Sequence, residues 1–379
     1  MVINKCRVCG SDFFKEPLLE YKNMPAVAQY FPDKTFLEND KGIDLEICQC
    51  SGCGLIQLNN EPVSYYKEVI RASGISEEMK KFRIKQFQDF LEKYNLKNKK
   101  IIEIGCGGGE YLSVMNQLNI NSYGLEYSEE LVEKCIKIGL KVYKGFIEND
   151  DDKIRDNPFD GFFILNYLEH LPKINSTLRG IYNNLTDNAI GLIEVPNFDM
   201  ILSKNLFSEF TRDHLFYFTK ESLKRTLELN GYEVLNCEVI WHDYIISAVV
   251  KKRDEISLKH FYEKQEKIKK EIKEYIKGFG SKKVAVWGAG HQALAIMSMT
   301  EINKDIKYVI DSAEFKQNKY TPATHIPIVS PETLGYDPVE AIIIIAGSYS
   351  DEVASIIKEK YSNKINIAIL RDFGLEAIK

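Results

Sequence analysis

Between residues 100 and 200 the chain alternates short apolar runs with amphipathic stretches. KIIEIGC, NSYGLE, KVYKGF, DGFFILN and AIGLIEVP are continuous apolar runs of strand length. The stretches between them carry apolar residues at helical spacing, which predicts an α/β fold with a parallel, doubly wound sheet. GYEVLNCEVIW and DYIISAVVKK then predict a closing antiparallel pair. Upstream, EEMKKFRIKQFQDFLEKY places Met79, Phe82, Phe87, Phe90 and Leu91 near one helical face. Downstream, residues 254–280 repeat Leu258, Phe261, Tyr262, Gln265, Ile268, Ile272, Tyr275 and Ile276 at i, i+3, i+4, one long amphipathic helix ended by Gly278 and Gly280. A second strand–turn–helix pattern follows: VAVW, then GAGHQA, then KYVID, AIIIIAGS and INIAIL.

These patterns divide the chain into 1–60, a helical bridge 61–99, a sheet domain 100–253, a linker helix 254–280 and a second α/β domain 281–379. The length of 379 residues suits two or three cores. A hydrophobic fraction of 44% and a charged fraction of 28% are those of a globular chain. The net charge of −5 offers no basic footprint for nucleic acid. No apolar run reaches bilayer length, and MVINKCRVCG lacks a signal-peptide core, so a cytoplasmic protein without membrane contact is expected. Oligomeric state stays open.

The eight cysteines then point to thiols or metal rather than disulfides. Cys6-Arg-Val-Cys9-Gly10 and Cys50-Ser-Gly-Cys53-Gly54 form two knuckles able to supply four thiolates to one tetrahedral Zn2+. Four thiolates leave no open coordination position, so the ion is structural. Cys48 stands outside the pair, because C-x-C spacing breaks its symmetry.

The sharpest signal is Glu103-Ile104-Gly105-Cys106-Gly107-Gly108-Gly109 after a strand, with Glu126 at the tip of the next strand. Glycines admit close backbone approach, and an acid at that tip can hold the two hydroxyls of a ribose. Together they predict a nucleoside-type cofactor across the switch point of the sheet. Phe146, after the third strand, either packs on the adenine or belongs to the core.

The form E-x-G-x-G-x-G resembles the first motif of S-adenosylmethionine-dependent methyltransferases. The order of knuckles, methyltransferase core and second nucleotide-type unit resembles the sugar C-methyltransferases acting on nucleotide-linked 4-keto-deoxy sugars. CSGCGLIQL, EIGCGGGEYL, GLEYS, DHLFYFTKESL and DSAEFKQNKYTPATHIPIVSPETL carry that resemblance over nearly the whole chain. Where the family reads Y-x-E-H, this chain reads Thr211-Arg212-Asp213-His214. Where it tends to Y-x-S-S, the chain has Arg71-Ala72-Ser73-Gly74.

The resemblance implies a class I methyltransferase sheet with Rossmann-like topology, S-adenosylmethionine as cofactor and a nucleotide-linked sugar as substrate. Gly105, Gly107, Glu126, Glu103 and, after strand four, Asn166 would line the cofactor. Carbon methylation needs a base beside an acidic C–H and a donor at the developing oxyanion. His214 is the expected base, Asp213 its partner, and His170 the expected donor to the keto oxygen. Lys316, Lys319 and Tyr320, with Arg71, are assigned to the substrate. Asp311 and the G-x-G-x-x-A turn of the last domain fit either the substrate nucleotide or a dinucleotide. An O- or N-methyltransferase, or a binding protein without turnover, are the competing functions.

Overall fold

The computed structural model describes residues 3–68, 75–361 and 364–378. They form two compact units, 1–254 and 255–379. The first contains β1 (Leu19–Met24), β2 (Ile43–Gln49), β3 (Ile56–Leu58), α1 (Glu77–Lys93), β4 (Lys100–Ile104), α2 (Glu110–Met115), β5 (Asn121–Glu126), α3 (Glu129–Lys137), β6 (Val142–Lys144), β7 (Phe159–Leu165), α4 (Ile174–Tyr182), β8 (Leu185–Pro196), α5 (Phe198–Ser203), β9 (Phe216–Tyr217), α6 (Lys220–Leu229), β10 (Tyr232–Ile240) and β11 (Ile245–Lys252).

Its main sheet runs β10-β11-β8-β7-β4-β5-β6. The five central and distal strands are parallel, and β11 is antiparallel to both β8 and β10. From β4 the chain winds outward through β5 and β6, then returns to place β7 on the other side of β4. The strand order therefore reverses at β4, and the crevice above its C-terminal end is where such sheets bind ligands. Strand alternation feeds two cores. Ile102, Ile104, Phe162 and Ile164 face one side, while Ile101, Phe163, Leu165 and Leu192 face the other.

Helix α1 seals the second of these faces. Ser76 caps it by accepting the Met79 N–H at 3.1 Å. Phe87, Phe90 and Leu91 are buried, each burial worth about 1.5–3 kcal/mol. The fourth buried position is Arg83 rather than the expected Phe82. Residues 83, 87, 90 and 91 lie at i, i+4, i+7 and i+8, so geometry puts the arginine on the inner stripe. Phe82 instead meets Trp241, ring centroids 5.1 Å apart. Arg83 is tolerated because its Nη1 pairs with Glu194 Oε2 at 2.5 Å, both side chains fully buried, and its guanidinium lies 4.6 Å from the Tyr111 ring.

The N-terminal strands make a separate sheet, β1-β2-β3-β9. Its last strand comes from far downstream, beyond α5, yet β3 pairs with it through Ile56–Tyr217 and Gln57–Phe216. Cys6, Val8, Cys50, Cys53 and Leu55 share one core with Phe216, Phe218, Leu223 and Leu227. Asn175 of α4 donates to the Val8 carbonyl at 2.7 Å, and Arg225 of α6 to the Cys53 carbonyl at 3.0 Å.

The second unit contains α7 (Lys259–Lys277), β12 (Val284–Trp287), α8 (His291–Thr300), β13 (Ile306–Ile310), β14 (Lys319–Tyr320), β15 (Pro327–Val329), α9 (Thr333–Tyr336), β16 (Ala341–Ile344), α10 (Ser350–Lys360), β17 (Asn366–Arg371) and β18 (Gly374–Ile378). Its sheet runs β14-β15-β13-β12-β16-β17-β18. The helix expected as a linker is α7, and its C-terminal half buries Ile268, Ile272 and Ile276 with Val284 and Val286 in this unit's core.

Candidate cofactor and acceptor site

The glycine turn after β4 needs its glycines. Gly105, Gly107 and Gly109 have φ of +70°, +56° and +81°. The Gly105 and Cys106 N–H groups donate to the Leu125 carbonyl at 2.9 and 3.2 Å, drawing the turn onto the end of β5. A Cβ on Gly105 would lie 2.6 Å from Tyr167 Cδ1, so the ring of Tyr167 lies on the bare backbone. A Cβ on Gly107 would meet nothing nearer than Glu110 Oε2 at 4.0 Å, which is the open side of the turn.

Glu126 stands at the tip of β5, as expected, and has work inside the chain. Its Oε2 accepts the Gly107 N–H at 2.9 Å and its Oε1 accepts the Ser128 N–H at 2.8 Å. Burial pushes its pKa up, and backbone N–H groups of Ser128, Gly107 and Tyr127 oppose that shift. An ionised carboxylate has about four acceptor sites, so two backbone bonds leave capacity for a ribose diol.

A pocket beside this turn is lined by Gly105, Leu125, Tyr127, Phe146, Ile147 and Tyr167, among others. The Phe146 ring meets Tyr66 and Tyr127 edge-on at 6.0 and 6.2 Å. The Lys67 ammonium, paired with Glu148 at 2.8 Å, sits 4.8 Å from the Phe146 centroid. Glu103 is buried on β4. Asn166, at the end of β7, holds φ at +51°. Its N–H donates to the Glu194 carbonyl, and its buried Oδ1 has no hydrogen-bond partner among the described residues. Asn tolerates this left-handed angle, and the unspent acceptor stands at the C-terminal end of a parallel strand.

The residues expected to do the chemistry come together from the turn Leu168–His170 after β7 and the loop before β9. His170 and His214 meet edge to face, centroids 4.8 Å apart and planes at 78°. His170 Nδ1 lies 2.7 Å from the Asp213 carbonyl oxygen. A carbonyl only accepts, so Nδ1 carries the proton. Burial, then the neighbouring His214, lowers the His170 pKa to about 3, and burial lowers that of His214 to about 4. Both rings are therefore neutral near pH 7. With Nδ1–H on the Asp213 carbonyl, Nε2 is the ring nitrogen of His170 left for a ligand, and it lies 3.8 Å from Glu169 Oε1.

Asp213 is buried, and its two carboxylate oxygens accept the Tyr65 O–H at 2.9 and 3.1 Å. Burial raises the Asp213 pKa, and the Tyr65 bond works against that rise. Tyr65 Oη in turn accepts the Ala28 N–H at 3.1 Å. The chain thus brings a tyrosine hydroxyl to this acid from the bridge segment, although position 211 is threonine. Tyr217, in β9 and three residues after His214, donates its O–H to the Thr211 carbonyl at 3.1 Å. Tyr65, Tyr167, Glu169 and Tyr217 were not among the expected site residues. The Tyr65-Tyr66 pair and the acid preceding His170 were the available signals. The loop is fixed from both sides: Leu58 N–H donates to the Leu215 carbonyl at 3.0 Å and Leu215 N–H to the Glu169 carbonyl at 2.9 Å.

The four knuckle cysteines converge. Cys6 and Cys53 sulfurs are 3.6 Å apart, those of Cys9 and Cys50 3.3 Å, and all four lie within 4.8 Å of one another. Tetrahedral zinc with bonds of 2.3 Å sets sulfur–sulfur edges near ~3.8 Å, so the donor set fits that ion. Backbone N–H groups of Val8, Gly52 and Cys53 and the Gln57 amide point at Cys6 or Cys50 sulfur. Cys48 lies outside the cluster, and burial pushes its thiol up to about 11.

In the second unit, Asp311 closes the turn after β12 by accepting the Ala289 N–H at 2.8 Å and the Ala313 N–H at 2.9 Å. Lys316 is drawn to the same acid at 2.9 Å, whereas Lys319 and Tyr320 form the exposed edge strand β14. Arg71 lies outside the described residues.

Residues 76–236 match the family model described as a methyltransferase domain, and residues 250–369 match the C-methyltransferase C-terminal domain. The chain is 23% identical to the C-methyltransferase NovU of Streptomyces niveus, covering 95% of this chain and 94% of that protein. Among solved structures, a S-adenosylmethionine-dependent methyltransferase of Clostridium acetobutylicum covers 50% of this chain and 96% of its own at 13% identity and a TM-score of 0.39. The PH0226 protein of Pyrococcus horikoshii covers 51% and 100% at 15% identity and a TM-score of 0.41. No helix among the described residues is long and apolar enough to cross a membrane. With its glycine turn, its acid at the tip of β5 and both matched domains in sequence order, this enzyme is a S-adenosylmethionine-dependent methyltransferase that carries a C-methyltransferase C-terminal domain.

Proposed function

We propose that this enzyme methylates a carbon next to the ketone of a nucleotide-linked keto-deoxy sugar. The observation that carries this reading is the cluster of Asp213, His214 and His170 at the C-terminal edge of the sheet, joined to Tyr65. S-adenosylmethionine, when bound, supplies an electrophilic methyl group and a neutral leaving thioether. Glu126 would hold its ribose, the open side of Gly107 and the backbone at Gly105 would give it room, and Phe146 would face its adenine. Asn166 and Glu103 would meet its amino-acid end. The protein's own chemistry is to remove the proton beside the ketone and to keep water out.

His214, in its neutral form, is the proton acceptor, with Asp213 and Tyr65 fixing the loop that presents it. The Tyr65 hydroxyl, in place of the threonine at 211, supports carbon as the methylated atom. Within the second unit, Lys319 and Tyr320 on the exposed strand β14 are the proposed nucleotide contacts. Lys316 could join them only by leaving Asp311. The four cysteines would hold a structural zinc ion in the sheet that backs the acceptor loop.

The test is deuterium exchange in heavy water with full-length, zinc-loaded protein and thymidine-, cytidine- and guanosine-linked 4-keto-6-deoxy sugars. One of them is expected to exchange the hydrogen next to its ketone, and to gain a methyl there when the cofactor is added. Methylation of oxygen or nitrogen without C–H exchange overturns the proposal.

A further inference from the structure

We infer that Lys67 reads the base of the cofactor: its ammonium, held by Glu148 among the rings of Tyr66, Tyr127 and Phe146, donates to a ring-nitrogen lone pair of the adenine. The inference rests on the proposed place of the adenine against Phe146. Lys67 Nζ lies 4.8 Å from the Phe146 centroid, 5.6 Å from that of Tyr127 and 5.7 Å from that of Tyr66. Ring faces attract a cation out to about 6 Å. Phe146 and Tyr127 are also walls of the pocket beside the glycine turn. The ammonium therefore stands beside that pocket and not on a remote face of the unit.

Glu148 fixes it there. Its Oε2 accepts from Lys67 Nζ at 2.8 Å, while its Oε1 accepts the Tyr66 O–H at 3.4 Å and pairs with Lys173 at 3.1 Å. The Lys67 side chain is 26% exposed, against 57% for Lys173, so the two cations on this acid differ in setting. An ammonium has three N–H bonds and no lone pair. One goes to Glu148 and one turns toward the Tyr66 hydroxyl. Among the described residues the third meets only ring faces, a charged donor beside a pocket with no acceptor of its own.

Adenine supplies what that donor lacks. N1, N3 and N7 carry lone pairs in the plane of the base, and a base stacked on an aromatic side chain keeps that edge free for hydrogen bonds. A charged donor gives a stronger bond than a neutral one, and the surrounding rings exclude competing water. Glu148 is then a positioning residue, which acts by holding Lys67 and needs no contact with the base.

The test is a cycle between residue and ligand atom. Calorimetry on full-length, zinc-loaded protein uses S-adenosylhomocysteine and its 1-deaza, 3-deaza and 7-deaza analogues, each with one ring nitrogen replaced by C–H. One analogue should bind the parent roughly ten- to hundredfold more weakly than S-adenosylhomocysteine, the loss of one hydrogen bond from a charged donor. Lys67→Met should bind that analogue and S-adenosylhomocysteine within about threefold of each other. Glu148→Gln should narrow the difference too, whereas Lys173→Met should keep it. Zinc content and Tm show that each variant is folded. A structural role for Lys67 would instead weaken all four ligands by one factor. Equal binding of all four by the parent overturns the inference without any variant, as does a deficit that persists in Lys67→Met. Phe146→Leu separates the two readings, because loss of the stacking face should weaken all four ligands alike. If it does so while no analogue is discriminated, the slot stands and the role of Lys67 falls. If Lys67 discriminates while Phe146→Leu binds like the parent, Lys67 stands and the place of the adenine on Phe146 falls.

Discussion

Replacing Gly105 by alanine should cost this enzyme its cofactor. The residue has φ of +70°, a conformation worth about 1–2 kcal/mol to avoid for any side chain with a Cβ. The added carbon would stand 2.6, 2.8 and 2.9 Å from three atoms of the Tyr167 ring. Carbon contacts settle near ~3.5–4.0 Å, so ring or turn must shift by roughly 1 Å. Overpacking of that kind typically costs about 1–3 kcal/mol. The turn, held by hydrogen bonds to Leu125, Glu126 and Cys135, is the part that gives. The combined strain of about 2–5 kcal/mol then appears mainly in binding, a loss of at least roughly thirtyfold in affinity for S-adenosylhomocysteine by calorimetry. Gly139→Ala is the control. Gly139 also has positive φ, at +83°, but its Cβ would meet nothing within 4 Å. It should lower stability by about 1–2 kcal/mol and leave cofactor affinity alone. Adding Tyr167→Ala to Gly105→Ala should recover part of the loss by removing the clash. Gly105→Ala binding within threefold of the parent would show that the turn does not cradle the cofactor.

Glu126→Gln places an amide among the Gly107 and Ser128 N–H donors, and calorimetry should show cofactor affinity down by about 30–100-fold, from 2–3 kcal/mol of charge-assisted bonds. Arg83→Met strands the buried Glu194 charge and should cost about 3–5 kcal/mol, a fall in Tm of roughly 6–10 °C by calorimetric scanning. The double variant Arg83→Met/Glu194→Gln should recover most of that loss; equal stability of single and double variants would refute the pairing. Cys53→Ser should release the zinc and reduce C–H exchange more than tenfold, while S-adenosylhomocysteine affinity changes less than threefold, because β3 touches the acceptor loop and not the glycine turn.

The sequence revealed most where neighbours in the chain are neighbours in space. The strands of the main sheet read as β-rich apolar runs, and the glycine turn with Glu126 joins adjacent strands of a fold whose switch point is known in advance. The knuckles carry their own spacing. What stayed hidden depends on contacts between distant segments. Tyr65 and Asp213 are 148 residues apart, and nothing periodic links them. Arg83 occupies an apolar stripe because Glu194, on a strand far downstream, neutralises it. A scan for hydrophobic periodicity passes over such a residue and picks Phe82. The position of His170 after the fourth strand was legible, but its proton was not, because that depends on where one backbone carbonyl of the Asp213 loop points.

The pairing of β3 with β9 bears on how this protein can be divided or recombined. A chain shortened to begin at α1 would strand Phe216 and Tyr217 without a sheet, expose the Phe216–Phe218 side of the interior and leave Asn175 and Arg225 without the carbonyls they now cap. The knuckle segment is therefore packed into this unit through β9, α4 and α6, not an appendage to it. Exchanging it with that of a relative would require transplanting the stretch from Thr211 to Phe218 as well, and the two pieces should be inherited together.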